Sequence, residues 1–192
     1  MARPRTFDTD TVLSTVTDLF WARGYDAVSI QDLAKATGVR PGSLHAAFGN
    51  KRDLFERAFD RYGERFRTHM QVDLPGLRGA SQYLDRLVTS AIDDPARKGC
   101  LIINTAGELE VHSVEIKAGI RDRLDTMKAF FRDRLEEDGV SSEEATNALF
   151  GAAVSILTLA RAGQPKEVLQ DIAAAAIGHV NAQAGNLPSQ HA

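Results

Sequence analysis

Residues 29–51 read SIQDLAKATGVRPGSLHAAFGNK, a pattern that predicts two short helices joined by a tight turn. Ser29 and Asp32 have the spacing of a capping box, in which two side chains satisfy backbone N–H groups at a helix start. Gly38 can take the left-handed backbone conformation that a helix exit needs. Pro41 suits the first position of the next helix, where its missing N–H is not required.

The second of these helices carries its apolar residues on one face, because Leu44 and Phe48 are four positions apart. Two helices in this arrangement form a helix-turn-helix, whose second helix enters the major groove of DNA. We therefore interpret this stretch as the DNA-reading part of a larger globular chain.

Length and composition set the broad class. The chain has 192 residues, 43% of them hydrophobic and 26% charged, which suits one large domain or two small ones. We expect a cytoplasmic protein, since the N-terminus MARPRTFDTD lacks the apolar segment of a signal peptide and a single cysteine fits a reducing compartment. The net charge is −3, but residues 1–67 hold 11 Lys and Arg against 9 Asp and Glu. DNA contact must therefore depend on a few well-placed cations.

Helical periodicity covers the rest of the chain. We expect further helices at about residues 8–23, 50–70, 80–92, 100–111, 114–137, 142–162 and 165–184. Ser141 and Glu144 have capping-box spacing at the start of one of them. No stretch alternates like a strand, so the predicted class is all-α with about nine helices. A Pro- and Gly-rich break at 73–79 separates an expected helix-turn-helix domain, residues 1–70, from a helical domain, residues 76–185.

The N-terminal third resembles the tetracycline-repressor (TetR/AcrR) family of bacterial transcriptional regulators. The residues that carry this resemblance keep the family's spacing from the first helix into the fourth: Phe20, Gly24, Tyr25, Ser29, Ile30, Leu33, Ala34, Gly38, Val39, Gly42, Leu44, Phe48, Lys51 and Leu54. GCLIINTAGEL and LARAGQP in the C-terminal part resemble one branch of the same family. The resemblance implies a homodimer on a near-palindromic operator in double-stranded DNA, and a repressor that a small-molecule effector releases.

The DNA-binding residues are expected in and around the second helix of the motif. Its exposed side should present Arg40, Pro41, Ser43, His45 and Ala46, while Gly42 lets the backbone approach the DNA. Lys51 and the N–H groups at the start of the fourth helix suit a phosphate. The remaining candidates are Ser29 at the motif's start and Arg3 and Arg5 on the N-terminal tail. The family commonly has Tyr at position 45, and His or Tyr at position 47. Ala47 cannot make the phosphate contact usual there.

The C-terminal helices are expected to dimerise and to hold an effector. Small residues on the last two helices allow close packing, and the resemblance favours a dimer interface there, with Gly151, Ala152, Val154, Ala173, Ala176 and Ile177 as candidates. Candidate pocket residues are Phe66, Leu87, Cys100, Ile103, Leu109, Met127, Phe130, Phe131 and Leu157. Each of these is also compatible with plain core packing.

Three other functions remain open at this point. Cys100 begins a predicted helix, whose dipole lowers a thiol pKa, so a regulator sensing oxidants or electrophiles is one alternative. A helical adaptor without sequence-specific DNA binding is a second. An enzyme is disfavoured, because no catalytic motif is present. Glu108 and His112 have the i, i+4 spacing of metal ligands, but without a third ligand we expect a surface pair. No metal and no cofactor is expected.

Overall fold

The computed structural model describes residues 7–108, 110 and 112–185. In this part of the chain nine α-helices follow one another and no strand occurs, which confirms the predicted all-α class. The helices are α1 Thr9–Arg23, α2 Ile30–Thr37, α3 Pro41–Phe48, α4 Lys51–His69, α5 Gly76–Asp93, α6 Leu101–Ala106, α7 Val114–Glu137, α8 Glu143–Arg161 and α9 Lys166–Gly185. None of them has the length and apolar character that a membrane span requires. Arg3, Arg5 and Leu109 lie outside the described residues.

The chain forms two compact units. The first contains the described residues of 1–67 and 100–120, and the second contains those of 68–99 and 121–192. The domain ranges drawn from the sequence, 1–70 and 76–185, place residues 100–120 with the C-terminal helices. In the structure this segment packs within the first unit, so that unit is built from two separate stretches of chain.

The first unit is organised around aromatic side chains that α1 and α4 contribute. Phe20 and Phe55 are almost completely buried, and their rings meet edge to face with centroids 5.1 Å apart. Leu33 of α2 and Leu44 of α3 are also fully buried. Burying each such side chain contributes about 1.5–3 kcal/mol, which fixes α2 and α3 against the unit's core.

α6 is shorter than the sequence predicted: it ends at Ala106, whereas the expected end was near residue 111. The N–H groups of Gly107 and Glu108 donate to carbonyls three residues back, at 3.1 and 3.0 Å, and so tighten the final turn. The Glu108 carboxylate then accepts the backbone N–H of Tyr25 at 2.9 Å. This bond holds the chain after α6 against the end of α1. A Cβ at Gly24 would collide with the same carboxylate.

The second unit packs α5 against α8 and α9, and α8 against α9. Tyr83 of α5 meets Phe130 of α7 with ring centroids 4.9 Å apart, and Phe130 meets Phe131 at 5.3 Å. Tyr83 and Phe131 are almost fully enclosed. These rings form the aromatic part of that unit's core.

α5 begins at Gly76, four residues before the predicted start. The carboxylates of Glu137 and Asp138 accept the N–H groups of Gly76 and Leu77, each at 2.7 Å. They satisfy two donors that a helix start leaves without intrahelical partners, and negative charge is favourable there. The helix therefore extends into the Pro- and Gly-rich segment that the sequence analysis interpreted as a break.

The cap of α8 also differs from the prediction. Ser142, not Ser141, is the N-cap residue, and its hydroxyl accepts the backbone N–H of Ala145 at 3.1 Å. Ser142 lies three residues before the N–H that it binds, and it has the extended backbone of an N-cap residue.

Candidate nucleic-acid interface

α2 is fixed at both ends by the residues that the sequence singled out. The Ser29 hydroxyl accepts the Asp32 N–H at 3.1 Å, and the Asp32 carboxylate accepts the Ser29 N–H at 2.9 Å, which confirms the capping box. The Ser29 hydroxyl also donates to the Asp32 carboxylate, and this bond, followed by the one from the Ser29 N–H, lowers the pKa of Asp32 below its usual range. Gly38 closes the helix with φ 69° and ψ 9°, in the left-handed region. The turn into α3 therefore follows from local chemistry.

α3 has one buried and one open face, as predicted. Leu44 and Phe48 are buried, and Pro41 occupies the first helical position. The predicted outward residues are all exposed: Arg40, Pro41, Gly42, Ser43, His45 and Ala46. A Cβ built at Gly42 meets no atom of the described residues within 4 Å, so none of them obstructs a close approach of this turn to another molecule. The contact of these residues with DNA stays a prediction.

The start of α4 is already capped by its own side chains. Asn50 Oδ1 accepts the N–H groups of Arg52 and Asp53 at 2.8 and 3.2 Å, and the Asp53 carboxylate accepts the Asn50 N–H at 2.8 Å. The expectation that the N–H groups here are open to a phosphate is therefore wrong for Arg52 and Asp53. Lys51 remains a candidate phosphate-binding cation at this helix start, next to the exposed Arg52.

Lys51 lies over an aromatic ring that the sequence pattern alone does not assign to the site. Its Nζ lies 4.2 Å from the centroid of the Tyr25 ring, within the range of a cation–π interaction. Tyr25 is held by the bond from its backbone N–H to Glu108. Tyr25 belongs to the family-like pattern, but no local signal connects its ring to Lys51 or to Glu108, which is 83 positions away.

Glu108 and His112 do not form the surface pair that the sequence suggested. They lie between α6 and α7, and His112 is buried against the rings of Phe55 and Tyr25, with centroids 4.8 and 5.1 Å away. Burial lowers the pKa of His112, although the nearby carboxylates of Glu108 and Asp26 act in the opposite direction. Its Nε2 is 3.9 Å from Glu108, too far for a hydrogen bond. Among the described residues no group of three or more His, Cys, Asp or Glu side chains could hold a metal.

Cys100 lacks the environment of a reactive thiol. It is 3% exposed, and burial raises the pKa of its thiol above the usual value. The N–H groups of Ile103 and Ile102 at the start of α6 lower that pKa, as a helix start should, but burial outweighs them. The expected lowering of the pKa is therefore wrong. The cations near it in sequence have other partners, since Arg97 bonds the Gln164 carbonyl at 2.7 Å.

The residues assigned to dimerisation and to an effector pocket fall into several environments. Ala152 and Ala173 are buried within the chain itself, whereas Gly151, Val154, Ala176 and Ile177 are partly exposed. Among the described pocket candidates, three belong to the first unit, namely Phe66, Cys100 and Ile103. Five belong to the second unit, namely Leu87, Met127, Phe130, Phe131 and Leu157. Their roles stay predictions.

Comparison with known proteins agrees with this architecture. The model of a family described as bacterial regulatory proteins, tetR family, matches residues 12–58. The HTH-type transcriptional repressor ComR of Escherichia coli (strain K12) is 32% identical over 126 residues, which are 63% of this chain. The chain spans only 60% of the length of that relative.

Solved structures match over almost the whole chain. A TetR family transcriptional regulator, a cysteine mutant of CifR in complex with 26-bp operator DNA, is 27% identical with a TM-score of 0.78. That match covers 92% of this chain and 98% of the other. A putative TetR transcriptional regulator from Rhodococcus sp. RHA1 is 30% identical over 90% of this chain and 98% of the other, with a TM-score of 0.54. With its helix-turn-helix and these relatives, the chain belongs to the TetR family of bacterial regulatory proteins.

Proposed function

We propose that this protein is a transcriptional regulator that binds an operator in double-stranded DNA through α3, and that it acts as a repressor. The observation that carries the proposal is the exposed face of α3, from Arg40 to Ala46, between two ends fixed by Gly38 and the Asn50 cap. A recognition helix needs this combination of a rigid base and an unobstructed outer face. A regulator that binds operator DNA would act in the cytoplasm, and we include this location in the proposal.

The candidate DNA-binding side chains fall into two groups, those that can read a base and those that can bind a phosphate. Arg40 is exposed at the N-terminal end of α3, where a guanidinium can bond a guanine edge in two places. Ser43 can bond either a base or a phosphate. Lys51, held over the Tyr25 ring, supplies a point charge to a phosphate and so contributes affinity without sequence information. The tail residues Arg3 and Arg5 would add contacts in the minor groove.

Dimerisation explains how so small a face can specify a site. Two α3 helices related by two-fold symmetry would read two half-sites about one helical turn apart, on a near-palindromic operator. Partly exposed apolar residues of α8 and α9, Val154 and Ile177 among them, are the surface we assign to the dimer contact. Ala152 and Ala173 are buried within the chain itself, so we do not assign them to this surface.

We also propose that a small molecule releases the protein from DNA. Among the pocket candidates, Phe130 is partly exposed beside the buried Phe131 and Tyr83, so an apolar or aromatic effector has rings to pack against. No chemical class narrower than this follows from the side chains. The burial of Cys100 counts against release through an oxidised thiol.

The test is a mobility shift with footprinting on the intergenic DNA upstream of the protein's own gene, at two salt concentrations. We expect a protected near-palindrome that the Arg40→Ala and Lys51→Ala variants bind more weakly. Lys51→Ala should weaken binding to all sequences alike and reduce the salt dependence by about one phosphate contact. Arg78→Ala, an exposed arginine of the second unit, removes the same charge and should bind normally.

If no specific site appears there or in a genome-wide selection, the proposal is wrong and a helical adaptor becomes the better account. If Arg78→Ala weakens binding as much as Lys51→Ala, net charge rather than α3 is responsible. Light scattering supplies a separate check, because a monomer at the concentrations that protect DNA contradicts the dimer.

A further inference from the structure

His45 is the one imidazole on the exposed face of α3, and one of its nitrogens is already engaged. Nδ1 lies 3.1 Å from the backbone carbonyl oxygen of Gly49. A carbonyl oxygen can only accept a hydrogen bond, so Nδ1 must carry the hydrogen. In the neutral ring the other nitrogen, Nε2, is then an acceptor without a hydrogen.

The acceptor that fixes this tautomer is itself firmly placed. Gly49 ends α3 with φ 90°, a conformation that side chains rarely adopt, and its N–H donates back to the His45 carbonyl at 2.9 Å. A Cβ at this position would also collide with Asp53. The Gly49 carbonyl, and with it the ring of His45, is therefore held by the end of α3.

A neutral Nε2 acceptor can bond only groups that donate. Phosphate oxygens, guanine N7 and O6, and thymine O4 all accept hydrogen bonds. The donors in the major groove are the exocyclic amino groups, N6 of adenine and N4 of cytosine. A phosphate oxygen, which only accepts, therefore does not suit the neutral tautomer that the contact with Gly49 favours.

We propose that His45 is a specificity-determining residue, whose Nε2 accepts a hydrogen bond from the amino group of an adenine or a cytosine in each operator half-site. The proposal rests on the proposed function, since it names what α3 recognises. It makes one position of the half-site favour an amino base on the contacted strand. His45 then supplies sequence information, while Lys51 supplies affinity.

The experiment compares the full-length protein with two variants on the footprinted operator. His45→Asn can keep a donor near the position of Nδ1, and so the bond to Gly49, but removes Nε2. His45→Gln instead keeps a polar group near the position of Nε2. Binding is measured by titration on operators carrying each base at every position of the half-site. The wild type should prefer A or C at one position by about tenfold over T or G, within the range for a mismatched pair.

A second set of operators tests the amino group directly. Purine replaces the adenine, or 2-pyrimidinone the cytosine, so that only the exocyclic amino group is lost. The wild type should lose about tenfold on this change, and His45→Asn should lose less than twofold, since the two changes remove partners of the same bond. His45→Gln should keep part of the preference.

The outcomes separate the two proposals. If the wild type protects no operator, the proposed function fails before the role of His45 arises. If the wild type binds, the inference is overturned by equal binding to the amino and amino-free operators. It is also overturned if His45→Asn lowers affinity equally for all bases and reduces the salt dependence by about one contact, because that is the signature of a phosphate ligand.

Discussion

Replacement of Gly38 by alanine tests the turn that places α3. Gly38 has φ 69° in the left-handed region, and a Cβ there would meet no atom within 4 Å. The cost is therefore conformational, about 1–2 kcal/mol for a side chain in this region. The lost freedom of the unfolded chain offsets about 0.4–1 kcal/mol of it. We expect Gly38→Ala to lower the free energy of unfolding by about 1 kcal/mol.

Gly42 provides the matched control. It lies inside α3, and its added Cβ would also meet nothing within 4 Å. The same substitution should therefore stabilise the protein by about 0.5–1 kcal/mol, because alanine favours a helix over glycine. The same added methyl group should therefore lower the free energy of unfolding at Gly38 and raise it at Gly42, four residues away.

The assay is urea unfolding followed by circular dichroism, with both variants and the wild type at one protein concentration. The urea midpoint of Gly38→Ala should fall by about 0.3–1 M for a loss of about 1 kcal/mol, since the slope m is about 1–3 kcal/mol/M in urea. Gly38→Asn should fall between alanine and glycine, since asparagine tolerates the left-handed region. If Gly38→Ala is as stable as the wild type while Gly42→Ala gains stability, the conformation assigned to this turn is wrong.

Three further predictions concern other sites. Burial lowers the pKa of His112 below its ordinary 6.5, so the folded chain binds fewer protons there than the unfolded one. The free energy of unfolding should therefore fall as the pH drops from 6.5 toward the lower folded-state value. Urea titrations between about pH 5 and 8 should show a weaker pH dependence of this free energy for His112→Phe, and an equal dependence in both proteins would contradict the prediction. Ser142→Ala should lower the free energy of unfolding by about 1 kcal/mol, and Ser141→Ala by less than about 0.5 kcal/mol. The same urea assay measures both values, and the reverse order would identify Ser141 as the cap. The Cys100 thiol should react with a disulfide reagent at least about tenfold more slowly in the folded chain than in urea. Peroxide should release the Cys100→Ser variant and the wild type from DNA at the same rate. Faster release of the wild type would support the hypothesis that Cys100 is a sensor.

The features that the sequence predicted well are those whose causes lie within a few residues. The Ser29–Asp32 capping box, the left-handed Gly38 and Pro41 at the start of α3 each act over four positions or fewer. Such bonds form between neighbours whatever the rest of the chain does, so pattern alone locates them. The exposed side of α3 followed in the same way, from the spacing of Leu44 and Phe48.

The features that it missed depend on partners far along the chain. α5 starts early because of carboxylates 61 positions away, and residues 100–120 join the first unit through Glu108 and His112. Cys100 is another case in which tertiary packing, and not the local sequence, decides the outcome. Its position at a helix start was predicted correctly, but the chemistry expected of it was reversed by burial, which no local pattern reports.

The split origin of the first unit bears on how regulators of this kind can be recombined. A hybrid that joins residues 1–67 of one protein to the remainder of another would bring Tyr25 and Phe55 against a foreign loop in place of Glu108 and His112. The Tyr25 N–H would then lose its acceptor wherever the second protein has no carboxylate in place of Glu108. Retargeting by grafting should therefore either exchange only the outer residues of α3 or carry both segments across together, and a single junction after residue 67 is the least favourable choice.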